Sequence, residues 1–292
     1  MRLPVLILQF AATLIGVIGV CLDQPEGHAN ATRNPPWATS TGSDRYGRWA
    51  DVVVACVTQR MHWIFPGTFT MGSAQEEWRL AIQHGMDASW LAGEEQHLVV
   101  IENGFWLGET TCTQGLWVAI RGKDPSYFTG EAGRPVECES WYDASAFLAD
   151  LSNLYPESQC RLPTGAEWEY ACRAGTTGPY HGNELESLGW YKGNSGGTTH
   201  PVKQKNPNAW GLYDMHGHVW VWCADHWGHH PYTTAGDRTV EFSGNGCAYR
   251  GGSWCYMGEG CRSGFRNGAW QGDRVNAFAC RLCIPAQPES RP

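Results

Sequence analysis

Arg161-Leu162-Pro163-Thr164-Gly165-Ala166-Glu167-Trp168-Glu169-Tyr170-Ala171-Cys172-Arg173 is the stretch on which the reading of this chain turns. Thr164 and Glu167 stand in the S/T-x-x-E spacing of a capping box, so the sequence predicts a helix over 165–173, with Gly175 placed as its stop. Upstream, Ser140 is a plausible N-cap for a second helix, Trp141 to Leu154. Its Ala144, Phe147, Leu148, Leu151 and Leu154 recur on one face. A third, short helix is predicted over Thr113 to Ile120, capped by Thr111. Around these lie short β-prone runs at 61–70, 97–106, 217–223 and 277–282, separated by long glycine-rich loops. Few helices, many short strands and long loops describe an irregular α+β domain.

Composition sets the outer limits. Of 292 residues, 42% are hydrophobic and 17% charged, enough apolar surface for a sizeable core. The 36 glycines and 16 tryptophans favour a loop-rich fold held by aromatic packing over a helical bundle. A net charge of −8 without a basic stripe argues against a nucleic-acid partner, and the diffuse acidity reads as solubility. Arg2 followed by an apolar run to Leu22 reads as a signal peptide. The run is also long enough for an uncleaved membrane anchor, the only membrane contact expected. The chain is therefore expected to be exported: periplasmic, secreted or membrane-anchored. Cys21 follows Ile18-Gly19-Val20, a poor lipidation context, and Asn30-Ala31-Thr32 is a glycosylation sequon. Residues 23–48 read as a polar linker, 49–283 as the domain and 284–292 as a frayed tail. Eleven of the 12 cysteines lie beyond the leader. Export allows disulfides, the odd number leaves one thiol over, and spacing alone does not pair them.

Further blocks occur in a fixed order. They are Pro66-Gly67-Thr68-Phe69-Thr70-Met71-Gly72-Ser73, Phe105-Trp106-Leu107-Gly108-Glu109-Thr110-Thr111-Cys112-Thr113-Gln114 and Arg134-Pro135-Val136-Glu137. After Ser140-Trp141-Tyr142-Asp143-Ala144 and the Arg161 block come Asn208-Ala209-Trp210-Gly211-Leu212-Tyr213-Asp214-Met215, Gly217-His218-Val219-Trp220-Val221-Trp222 and Arg250-Gly251-Gly252-Ser253-Trp254. Together they resemble the formylglycine-generating-enzyme (sulfatase-modifying factor) family over roughly Trp63 to Leu282. The resemblance implies that family's variant of the C-type-lectin-like fold, with little regular secondary structure.

It also implies a chemistry to look for. The family's enzymes resemble copper-dependent oxidases that use oxygen to convert a sulfatase cysteine to formylglycine, with two thiolates on Cu(I), a soft metal suited to sulfur. Those thiols follow the Gly-Gly-Ser block as G-G-S-[YW]-x-C-x4-C. Here Cys261 is in register, but Tyr256 holds the first position and Cys255 comes one residue early. In an extended stretch a one-residue slip turns a side chain to the opposite face; a bulge would restore it. Ser253 matches the family's active-site serine, and Trp220 matches a residue lining its groove, with Trp254, Tyr256 and Trp270 as further groove candidates. The family's calcium site carries over to Asp214 and the main chains of Gly217 and Val219, but Val221 replaces its glutamate and His218 its asparagine. Calcium prefers several oxygen ligands, so that site is expected to be weak or absent.

His216, His218, Cys223, His226, His229 and His230 cluster without a closed zinc spacing and read as loop and strand residues. Two functions follow. One is an oxidoreductase acting on a protein or small thiol through Cys261, Cys255 and Ser253. The other is a non-catalytic protein that binds a protein or small-molecule ligand through residues 254–275, the segment that variable proteins of diversity-generating retroelements randomise. Exposed aromatic residues suit such a surface.

Overall fold

Thr164 and Glu167 close the reciprocal cap expected of them: the Thr164 hydroxyl accepts from Glu167 N–H at 3.1 Å and the Glu167 carboxylate from Thr164 N–H at 2.8 Å. The structure, a computed structural model, describes residues 34–91, 93–227 and 246–287. The leader, Cys21, the sequon and His229 and His230 lie outside the described residues. Helix α4 (Gly165–Arg173) and helix α3 (Trp141–Leu154, capped by Ser140) have the predicted bounds. In α4 the turn out of the helix begins at Ala174, in the left-handed region at φ 44°, one residue before Gly175. Helix α2 (Gln114–Arg121) is capped by Thr113 instead of Thr111, because the Thr113 hydroxyl reaches Leu116 N–H. Helix α1 (Gln75–Gln83) has no sequence signal, since its N-cap Ala74 offers no side-chain acceptor.

Among the described residues eleven short strands follow one another: β1 (Ser40–Asp44), β2 (Gly47–Val54), β3 (Val57–Ile64), β4 (Gly67–Met71), β5 (His97–Ile101), β6 (Phe105–Gly108), β7 (Trp220–His226), β8 (Gly246–Arg250), β9 (Arg266–Trp270), β10 (Phe278–Ala279) and β11 (Cys283–Pro285). They form sheets of order β1-β2-β3-β6-β11, β10-β7-β8-β9 and β4-β5. All pairings are antiparallel except that of β10 with β7.

Several boundaries differ from the sequence reading. The 34–48 portion of the supposed linker is structured: β1 pairs with β2, and Trp37, 2% exposed, meets Trp106 edge-on at 5.6 Å. Polar composition hid this because β1 is an edge strand, solvated on most of its residues. At the other end, Ile284 is buried and paired with Trp106, so the frayed tail cannot begin there. The run at 61–70 is broken at Pro66, which has no N–H to donate to a ladder. The run at 97–106 divides at Gly104, where a Cβ would collide with the Trp63 ring.

What joins helix to sheets is a buried ionic centre on α4. The Glu169 carboxylate accepts from Gly72 N–H at 2.8 Å and from Arg173 Nε at 2.9 Å, and pairs with Arg250 on β8 at 3.0 Å. Arg173 returns a bond to Gly72 O at 2.7 Å, and Arg250 donates to Gly264 O at 3.2 Å. All three side chains are shielded from water. Removing one member of a buried ionic group leaves the others charged and unpaired. Glu169→Ala is therefore expected to lower the unfolding free energy by about 3–5 kcal/mol, read from urea denaturation; a loss below about 1 kcal/mol, the range of an exposed ion pair, contradicts the assignment.

Candidate functional site

The site is built where β8 ends. Gly251 and Gly252 both take left-handed angles, φ 102° and 83°, and each lies where a side chain is sterically barred: a Cβ at 251 meets the Trp168 indole, and one at 252 runs into the Cys261 sulfur. This double turn leads into residues 253–261, which end in a short 3₁₀ turn at Gly258–Cys261.

Both thiols of interest reach Ser253. The serine hydroxyl lies 3.4 Å from Cys255 Sγ, and its main chain lies beside the Cys261 thiol, where it partly offsets the effect of burial on that group. Their environments are opposite. Cys261 is fully buried, its thiol turned to Met257 O at 3.8 Å, and burial pushes its pKa up, away from the reactive thiolate. Cys255 is exposed. The slip of register is thus not repaired by a bulge: Cys255 faces solvent, and Tyr256 takes the inward position.

Tyr256 lies in an aromatic nest. Its ring centroid is 5.3 Å from Trp220, 6.3 Å from Phe265 and 6.1 Å from Trp90, and Gly260 passes so close beneath that a Cβ there would strike the ring. Burial, with Cys255 nearby, pushes the Tyr256 pKa up to about 12. Trp220 is the floor of this nest, only 5% exposed. Trp254 packs edge-on against Phe128 at 5.1 Å, and its indole N–H donates to Asn276 O at 2.8 Å. Trp270 stands apart at the end of β9, 55% exposed, covering Gly272. The sequence reading missed Trp90 and Phe128. Both come from irregular segments without periodicity, and only the tertiary fold brings them here.

Before β7 the main chain is unusual at Asp214 and His218, at φ 56° and 75°. Asp214 accepts Lys203 N–H at 3.0 Å through one oxygen. Its other oxygen faces His218 Nδ1 at 3.8 Å, while His218 Nε2 accepts His200 N–H at 3.1 Å, which leaves the proton on Nδ1. Gly217 donates to Gly251 O, and Val219 N–H to Gly217 O at 3.1 Å; Val221 is buried in the sheet. The remaining histidines do not converge. His216 is buried, bonded through Nδ1 to Cys261 O at 2.8 Å and through Nε2 to His181 N–H at 3.1 Å. His226 lies at the far end of β7. Among the described residues no group of three or more His, Cys, Asp or Glu side chains is arranged to hold a metal ion.

A family model described as "Sulfatase-modifying factor enzyme 1-like domain" matches residues 51–284. The chain belongs to this family. Among its curated relatives, a "Chaperone protein LppX" of Paenibacillus barcinonensis is 32% identical over 203 residues, 51% of this chain and 69% of the relative. A formylglycine-generating enzyme of Thermomonospora curvata is 37% identical over 134 residues, 38% of this chain and 42% of the enzyme. That of Streptomyces coelicolor is 34% identical over 163 residues, 47% of this chain and 50% of the enzyme, so the match spans half or less of either enzyme's length. Among solved structures, Treponema denticola variable protein 1 superposes with a TM-score of 0.72 at 28% identity, covering 82% of this chain and 99% of that one. PvdO of Pseudomonas aeruginosa superposes with a TM-score of 0.65 at 25% identity, covering 85% and 98%. The family's variant of the C-type-lectin-like fold, expected from the motif order, is the fold observed.

Two outcomes follow from the site. In the native, reduced protein a soluble maleimide should modify Cys56 and Cys255, the exposed thiols, within minutes and spare Cys261 until denaturant is added. Peptide mapping reads this, and rapid native labelling of Cys261 contradicts its burial. Burial also depresses the His216 pKa to about 3, from the ordinary 6.5. The unfolded chain then takes up that proton first, so stability from this group is complete above pH 6.5 and is lost as pH falls toward 3, at about 1.4 kcal/mol per pH unit. Urea midpoints from pH 7.5 to 4.5 test it: His216→Gln should flatten the slope by nearly one proton, and an unchanged slope contradicts it.

Proposed function

We propose that this chain is a ligand-binding member of the sulfatase-modifying factor family that does not make formylglycine, and that it takes a protein or small-molecule ligand against the aromatic surface around Tyr256. One observation carries the reading. The inward position that a copper-binding thiol would need beside Cys261 is filled by the Tyr256 ring, packed on Trp220 and Phe265. Phenol cannot replace a soft thiolate for Cu(I). The remaining thiols lie apart in environment, Cys255 in solvent and Cys261 buried, so the residues present do not fit a two-thiolate site. The near-complete coverage of the Treponema denticola variable protein supports the same reading.

Calcium fits no better. The oxygen of Asp214 left open by Lys203 faces an imidazole N–H, and Val221 offers no oxygen where the family's glutamate would stand. Export belongs to the proposal on the strength of the apolar leader.

The oxidase remains as a second reading for one reason: Ser253 touches both sulfurs. The two are separated by incubating the protein with Cu(I), oxygen and a peptide containing Cys-x-Pro-x-Arg, and measuring aldehyde by hydrazide capture and mass. No aldehyde is expected. Aldehyde that vanishes in both Cys255→Ala and Cys261→Ala overturns the binding reading. In a competition titration Tyr256→Cys, which restores the register, should bind Cu(I) at least about tenfold more tightly than the wild type, as expected for a soft ligand gained.

A further inference from the structure

Away from the groove, two thiols meet in the core. Cys112 lies just ahead of α2, and Cys280 lies between β10 and β11. Cys112 N–H donates to Cys280 O at 2.9 Å, and the two thiols lie near enough for each to shift the titration of the other. A single main-chain bond of this length holds the two Cα atoms within roughly 6.5 Å of one another, inside the span a disulfide bridges. Neither residue has any exposed surface. The Glu139 carboxyl, equally buried, lies against the thiol and main-chain N–H of Cys280, and Cys160 is the next thiol out.

We propose that Cys112 and Cys280 form a disulfide when the chain folds in the presence of a small disulfide oxidant. This inference is independent of what the groove binds. The main chain around the pair is held on both sides: Gly108 N–H donates to Leu282 O at 2.8 Å, and Val136 N–H donates to Cys112 O at 2.9 Å. The chemistry is two successive exchanges. One cysteine thiolate attacks a sulfur of the oxidant and releases the first small thiolate. The second cysteine thiolate attacks the protein sulfur of that mixed disulfide and releases the second. The protein loses two protons and two electrons, and one oxidant molecule becomes two thiols. The bridge encloses α2 to β10, a long loop, for which the entropic gain from cross-linking is large.

Burial sets when this happens. Oxidant reaches the pair in the unfolded or partly folded chain and is excluded afterwards. The experiment starts from reduced, denatured protein, full length, refolded in a glutathione redox buffer, then alkylated and mapped without reduction. The expected result is a cross-linked peptide joining 112 and 280, and a thermal midpoint that falls when dithiothreitol is added before heating. Protein folded reduced and only then exposed to the same buffer should form the link at least about tenfold more slowly, as burial of the thiols demands. The Cys112→Ala/Cys280→Ala double variant should show no dithiothreitol-dependent midpoint. Should either alanine destabilise the fold, the wild-type peptide map still decides. Alkylation of both 112 and 280 as free thiols after oxidative refolding overturns the proposal, and so does either one bridged to Cys160 or another partner.

Discussion

The Glu169 carboxylate is the interaction on which the remainder of this protein depends. It sits in the second turn of a capped helix and holds three things at once: the end of β4 through Gly72, its own helix through Arg173, and the four-stranded sheet through Arg250. A fold with short strands and long loops has little ladder hydrogen bonding to fix the relative placement of its parts. A buried charge with three directional partners supplies that placement, because any displacement leaves an ion without a counter-ion in a dry interior. The glycine turn that launches the candidate site begins immediately after Arg250. The position of the 253–261 loop is therefore inherited from the ionic centre.

The elements legible in the sequence were those with local chemistry. Thr164 with Glu167, and Ser140 with Asp143, cap their helices through side chains three residues apart, and both helices begin where those residues stand. What was illegible was stabilised at a distance. Helix α1 has no side-chain cap, β1 is an edge strand of ordinary polar residues, and Trp37 gives no hint in sequence that it packs against Trp106. In the site, the motif order located Ser253, Cys255, Tyr256 and Cys261 on one loop. It did not show that Trp90 and Phe128 complete the surface, since their arrival depends on loops whose course no period encodes.

The site keeps a family framework and changes its occupants. The glycine pair, the serine and the buried cysteine stand as scaffold, because each solves a backbone problem: left-handed angles, a short turn and a filled cavity beneath it. Tyr256 and His218 stand on that scaffold without disturbing it. A phenol occupies the inward position, and an imidazole N–H faces the Asp214 oxygen. A shared fold leaves the donor atoms of a site free to vary, so family membership alone does not fix an activity.

The last strands have a bearing on biosynthesis. Strand β11 completes the five-stranded sheet beside β6, and β10 is the parallel edge strand of the four-stranded one, so residues 278–285 close both. Leu282, Cys283 and Ile284 are wholly inside the core. A nascent chain emerging from the ribosome therefore cannot finish either layer until these residues have been synthesised, and its tryptophan-rich interior stays open until late. Until then β6 in one sheet and β7 in the other are left as bare edges, and an unpaired strand edge is a template for aggregation.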